Sequence, residues 1–372
     1  MADFRKAAPE YRIIVAGTVL RQSVAKYILN LTYDHSLSLA DMATIHIANP
    51  GNIWTDHKLW SPGNEVDIWM GWGPENVEYQ GRVIIGKHLP HWGKDGTGFL
   101  EIHAYDASRK MMTEGSEGET FPGMSDSEII RRIADKYSFG SDIESTDSVH
   151  NRFKKEGMSD FELVRGLANI NNMEFYVNYD RDIGQWIIHW HSALSQPQNK
   201  VYTFEYGSSM LEISLEDTLM NAPVAIRVLS LNVLSGEFIQ QEIEELVVGE
   251  DPRFNSSGFS DSNEPTNELT SHTKLKLAIG EDQSIEIITD RLFSNDAAAL
   301  RFAKGWFQKR KDSFLIAEGT MIGVESLRPR QSHVLNGIGA RYSGNYYFTT
   351  VRHQINANMG FNTEFVANKV LA

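Results

Sequence analysis

The residues best suited to chemistry are closely spaced histidines. His189-Trp-His191 sets two imidazoles on one face of a strand, which is the spacing of a metal pair. No third ligand is evident beside them, so they read as strand histidines next to a turn. His88-Leu-Pro-His91 is weaker, because Pro90 prevents a shared helical face. His353 follows Val351 on a strand near the C-terminal end. The 49 carboxylate side chains show no spacing that singles out an acid–base pair. There is no Gly-x-Ser-x-Gly, no phosphate-binding Walker loop and no His-Glu-x-x-His. Gly96-Thr-Gly98 is a lone turn that opens no helix. Glu242 to Glu245, with Ile243 and Leu246 apolar, reads as a solvated strand edge. No catalytic residue, cofactor or metal is expected.

Composition narrows the class. The 372 residues carry 35 basic and 49 acidic side chains, a formal charge of −14. This acidity argues against a protein that grips phosphate backbones. With 41% hydrophobic and 23% charged residues the chain can bury a core. Zero cysteines exclude disulfides, a thiolate nucleophile and cysteine-held zinc. No run of ~18 apolar residues suggests a membrane span. The first ten residues lack the apolar core of a signal peptide. The expectation is a soluble protein made in the cytoplasm.

The elements that must position these residues are mostly strands. Ile45 and Ile47 flank His46; Val66, Ile68 and Met70 alternate with Asp67 and Trp69; Leu100, Ile102 and Ala104 share a face. Period-two patterns between Gly and Pro turns indicate antiparallel β structure. The texture changes near residue 123. Ser125-Asp-Ser-Glu128 and Ser159-Asp-Phe-Glu162 are capping boxes that open two helices. Two strands follow, Glu174 to Tyr179 and Trp186 to Trp190. Ser195 to Lys200 reads as a linker and residues 249–272 as a long polar loop. Ser294 can cap a helix bearing Phe302, Trp306 and Phe307, after which β structure resumes.

Two distant stretches echo each other. Pro62-Gly63, Val66 and Tyr79-Gln-Gly81 match Pro329, Val334 and Tyr342-Ser-Gly344 as turn, strand, loop, aromatic-x-Gly and strand. A glycine at that point marks a bulge or a close backbone approach. The echo implies two related β units separated by an α+β piece.

At these residues the sequence resembles the phage baseplate hub family: late control protein D type proteins, the phage Mu and T4 hubs and the N-terminal part of type VI secretion spikes. The carriers are Tyr342 to His353, then Gly360-Phe-Asn-Thr-Glu-Phe365, with Tyr79-Gln-Gly-Arg-Val83, Ile102-His-Ala-Tyr-Asp106 and Ser159 to Ala168 in order before them. Two departures stand out. The family often has Pro-Gly where this chain has Pro329-Arg330, and the valine of the closing strand is Phe348.

The resemblance implies a mainly β chain with an α+β middle domain and two related β-barrel (tube-like) domains. Its expected divisions are 1–106, 107–200 and 201–372, with an insertion around 249–293 and a helix around 295–310. It implies a homotrimer that joins a sixfold tail tube protein to a threefold central spike protein. Baseplate wedge proteins and the tape-measure protein are the other expected partners, with DNA only in passage through the lumen. The implied location is the virion tail baseplate; a tailocin or other contractile injection system is the alternative setting. Pro62, Gly81, Asp106, Gly344, Tyr346, His353 and Gly360 are expected to shape the fold, not to catalyse. A rival from another class is a carbohydrate-binding module, in which Trp54, Trp60, Trp69, Trp72 and Trp92 would stack on sugar rings.

Overall fold

The computed structural model describes residues 8–37, 39–94, 96–113, 118–146, 149–154, 156–193, 201–217, 225–232, 235–243, 285–289, 291, 293, 295–312 and 314–370. The expected linker at 195–200, the loop at 249–272, most of the insertion and Ser294 lie outside these residues, as do Glu244 and Glu245.

The first part of the chain is β1 (Pro9–Val15), β2 (Thr18–Val19), β3 (Ile28–Ser36), β4 (Met42–Ala48), β5 (Glu65–Trp72), β6 (Val77–Trp92) and β7 (Gly98–Tyr105). In β4, Ala43, Ile45 and Ile47 are buried while Thr44 and His46 face outward, as a half-buried strand requires. Next come β8 (Glu119–Ser125), α1 (Asp126–Lys136), β9 (Gly140–Ile143), β10 (Val149–Lys154), α2 (Asp160–Asn171), β11 (Glu174–Asp180) and β12 (Gln185–His191). Both capping boxes form: Ser125 and Glu128 exchange backbone bonds, as do Ser159 and Glu162. The buried faces of α1 and α2 meet Phe175, Ile188 and Trp190 in one core. The rest is β13 (Thr203–Glu205), β14 (Met210–Asp217), β15 (Ala225–Leu231), β16 (Phe238–Ile243), β17 (Ile285–Ile288), α3 (Asp296–Asp312), β18 (Leu315–Ile322), β19 (Ser332–Asn336), β20 (Gly344–Asn356) and β21 (Gly360–Lys369). The sheet of β15, β16 and β17 buries its own small core against α3.

Mainly β structure with a large antiparallel sheet is what the strands build, but two separate barrels are not what their pairing describes. Thirteen strands join one sheet, ordered β14-β18-β21-β20-β3-β4-β7-β6-β5-β1-β2, with β19 and β13 branching from β20. No closed ring of pairing occurs among the described residues. The cause is β3, which pairs with β4 on one side and with β20 on the other, from Ser36 opposite Thr350 to Asn30 opposite Asn356.

Within that sheet one five-stranded block occurs twice. The order β5-β6-β7-β4-β3 matches β19-β20-β21-β18-β14, and the registers match residue for residue. Gly81 lies opposite Ile68 and Gly344 opposite Leu335. Ile85 lies opposite Ala104 and Phe348 opposite Ala367, and each pair is followed by a bulge at Gly86 or Thr349. The outer pairs carry a second shared bulge, at Leu29 between β3 and β4 and at Leu211 between β14 and β18. The turns agree in their bonds. Gly63 N–H donates to Ile85 O and Arg330 N–H to Phe348 O, both at 2.8 Å. Ile85 N–H donates to Asn64 O and Phe348 N–H to Gln331 O, both at 2.9 Å.

Candidate functional site

The expected structural residues meet, in part, at the seam where β3 joins β20. Asp106 caps the turn after β7 by accepting from Ser108 N, and it also accepts from Asp41 N, both at 2.7 Å. Burial, then the charge of Asp41, pushes its carboxyl up to about 7. Asp41 holds His35 Nδ1 at 2.9 Å, and His35 Nε2 lies 3.2 Å from Gln80 Oε1. Gln80 Nε2 donates to Glu325 O at 3.0 Å, which crosses from the first block to the second. His35 and His353 meet edge to face, with ring centroids 5.7 Å apart.

His353 is fully buried. Its Nε2–H donates to Leu327 O and its Nδ1 accepts from Thr363 Oγ1–H, both at 3.0 Å. Thr363 Oγ1 in turn accepts from Val324 N. Burial holds the His353 imidazole well below its ordinary value, helped by Arg328 and His35. Arg328 is half-buried beside it and donates to Tyr79 O, Glu325 O and Leu327 O at 2.7–2.8 Å. Burial pulls its guanidinium down to about 10. Gly81 closes the cluster: a Cβ there would sit 2.0 Å from Tyr33 Oη. Further ties are Trp72 Nε1–H to Gly323 O at 2.9 Å, Arg352 to Asp34, and Gln354 to Asn30.

Gly81, Asp106 and His353 therefore come together. The other four lie elsewhere. Pro62 sits in the turn before β5, and Gly360 opens β21 opposite Asn356. Gly344 opens β20 at φ +143°. Tyr346 is buried near the start of β20, the strand that also carries His353, its hydroxyl donating to Tyr342 O at 2.6 Å. His35, Asp41 and Arg328 were not singled out by sequence, since a lone buried polar residue carries no spacing signal.

The tryptophans do not make a sugar platform. Trp54, Trp60 and Trp69 are buried, and Trp72 bonds into the seam; Trp92 alone of the five is exposed, at 64%. The outer face of the first block instead carries a cluster that sequence reading missed. Glu101 lies 2.5 Å from His103 Nε2 and 3.6 Å from both His46 and His91 Nε2. Bonding to His103 and these neighbouring imidazoles hold its carboxyl below the usual range.

His189 and His191 share a face of β12, as their spacing indicates. The absence of a third ligand is corrected by the fold. The parallel strand β9 places Asp142 opposite His189, and the three side chains offer ligand atoms within 4.8 Å of one another.

A protein-family model described as Alg8 N-terminal domain matches residues 7–357. No curated protein matches. Among solved structures the fold is similar to a 43 kDa tail protein of prophage MuSo2 from Shewanella oneidensis. That pair has a TM-score of 0.68 at 10% identity, covering 97% of this chain and 98% of the other. A tail protein from Neisseria meningitidis MC58 gives 0.67 at 10% identity, covering 97% of each chain. An Escherichia coli type VI secretion component gives 0.56 at 10%, covering 92% of this chain and 73% of the other. That component is itself described as structurally similar to bacteriophage T4 tail proteins.

Proposed function

The chain belongs to the family described as Alg8 N-terminal domain, and from its fold we propose that it is the structural hub of a contractile tail baseplate. In this reading it acts by assembly. Three copies form a ring that seats the sixfold tail tube on one side and holds the threefold spike on the other. The channel passes the tape-measure protein and then DNA. The seven structural residues serve fold geometry, and the chain divides near 106 and 200.

One observation carries the reading. Each five-stranded block has an edge that gives and an edge that receives. Within the chain β3 gives to the second half of β20. The counterparts of these strands are β14 and the second half of β6. Among the described residues no strand pairs with the outer edge of β14, or with Lys87–Trp92 on the side away from β7. Setting β14 of one copy on β6 of the next repeats the internal joint. The internal register then places Asp217 opposite His88, Glu216 opposite Leu89 and Ile213 opposite Trp92.

Charge supports the pairing. Lys87, His88 and His91 lie on the receiving strand, and Glu212, Glu216 and Asp217 on the giving one. Head-to-tail contacts of this kind close into a ring when the rotation between copies divides a full turn. Three copies with two blocks each supply six near-equivalent positions, which is the symmetry a sixfold tube needs.

Light scattering with negative-stain images of the purified protein tests the reading. A particle of three chains with a central hole supports it. A chain that stays single, even with a spike-type partner present, contradicts it.

A further inference from the structure

We propose that Asp142, His189 and His191 bind one divalent transition-metal ion of the Zn²⁺ class, which ties the edge strand β9 to β12. This inference does not depend on ring formation. Two imidazoles and a carboxylate are a donor set that such ions favour. Strand alternation puts His189 and His191 side by side, and the parallel register puts Asp142 beside His189. Their ligand atoms lie within 4.8 Å of one another. An ion with bonds of ~2.1 Å holds its ligand atoms about 3.4 Å apart, which small side-chain rotations reach.

The surrounding bonds fit a ligating role. His189 Nδ1 lies 2.8 Å from Asp142 Oδ2 and Nε2 lies 2.9 Å from Asn178 Oδ1. A neutral imidazole has one N–H, yet both nitrogens of His189 face an oxygen. With Nε2–H donating to Asn178, the Nδ1 lone pair and the carboxylate point at the same space, which a cation between them would satisfy. His191 Nδ1 donates to Ser192 O at 3.1 Å, so Nε2 carries that ring's lone pair. Ligating histidines are held in this manner, by an oxygen on the far nitrogen. His191 is buried and Asp142 exposed, which leaves the remaining coordination positions on the water side.

The consequence is local. β9 has four residues and pairs with β12 alone among the described strands, so a metal bridge at its third pair would pin it.

The test is titration of the metal-stripped full chain with ZnCl₂ by calorimetry, with Co²⁺ absorption as a report on geometry. One ion per chain is expected, with a rise in melting temperature. Asp142→Asn and His189→Gln abolish both, and Asn178→Leu weakens binding ~10–100-fold. Because His191 is buried, its variant could fail to fold; Asp142 and Asn178 are exposed and keep the test decisive. No uptake in excess Zn²⁺, or binding unchanged by Asp142→Asn, overturns the proposal. So does binding that is lost in His91→Ala or His103→Ala, which would put the ion at Glu101.

Discussion

The chain enters β5 through Pro62-Gly63 and enters β19 through Pro329-Arg330. Both second residues adopt the left-handed conformation, Gly63 at φ +90° and Arg330 at φ +66°. Their N–H groups make the same bond to the same place in the block. A non-glycine residue there costs ~1–2 kcal/mol. In the second block the arginine side chain offers compensation: Nη1 donates to Ser36 O, and the guanidinium lies 3.8 Å from the Tyr176 ring centroid. The first block uses the turn only to turn; the second also uses it to grip the seam.

The two aromatic-x-Gly glycines differ in the same instructive way. Gly81 is required by space, because Tyr33 Oη occupies its Cβ position. Gly344 is required by conformation, since nothing lies closer than 3.6 Å to its Cβ position but its φ is +143°. Gly81→Val is therefore the most damaging change expected here. It displaces a buried tyrosine at a cost of roughly 3 kcal/mol, read as a shift in the urea unfolding midpoint. Tyr33→Phe should recover part of that loss and none of the loss from Gly344→Val, which costs ~1–3 kcal/mol from backbone strain. Equal rescue of both would mean that the two glycines serve the same purpose.

Acid should act on the second block. His333 and His353 are buried there, where the first block has Val66 and Pro90. Burial lowers His333 to about 3 and His353 well below its ordinary value. For such groups the unfolded chain binds protons first. Their stability contribution is whole above pH ~6.5 and is lost as pH falls toward the folded value. One such group removes about 1.4 kcal/mol per pH unit in that window. Over the same window Asp106, pushed up to about 7, works the other way. The loss is therefore read from pH 7 to pH 5 as the difference in slope between the parent and His333→Val, which should lack the His333 share. An unchanged slope would place the acid sensitivity elsewhere.

The smallest effect is expected at the turns. Arg330→Gly relieves strain and removes two ties, so its stability should stay within about 1 kcal/mol of the parent. Gly63→Ala gains no tie and should cost ~1–2 kcal/mol.

Much of this was legible in the sequence because it was local. Alternation found the strands, and the two Ser-Asp-x-Glu boxes found both helices of the middle unit. The echo of Pro62 to Gly81 in Pro329 to Gly344 marked strands that occupy equivalent places. What was not legible depends on distant pairing. The join of β3 to β20 turns two expected barrels into one continuous sheet, and nothing near Asn30 or Asn356 announces it. Asp142 stands 47 residues before His189, so its partnership arises only from a parallel register. Glu101 meets His103 on its own strand, but His46 and His91 reach it only through the antiparallel pairing of β4 and β6 with β7.

The most direct test of the repeated joint uses the absence of native cysteine. Leu89→Cys with Glu216→Cys places one thiol on each edge that no strand pairs among the described residues, at positions that correspond to Arg352 opposite Asp34 inside the chain. Under mild oxidation, non-reducing gels should show disulfide-linked trimers that reducing agent dissolves, with Trp92→Cys and Ile213→Cys giving the same ladder. Monomers alone from both pairs, in a protein that light scattering finds as a ring, would contradict the β14–β6 joint.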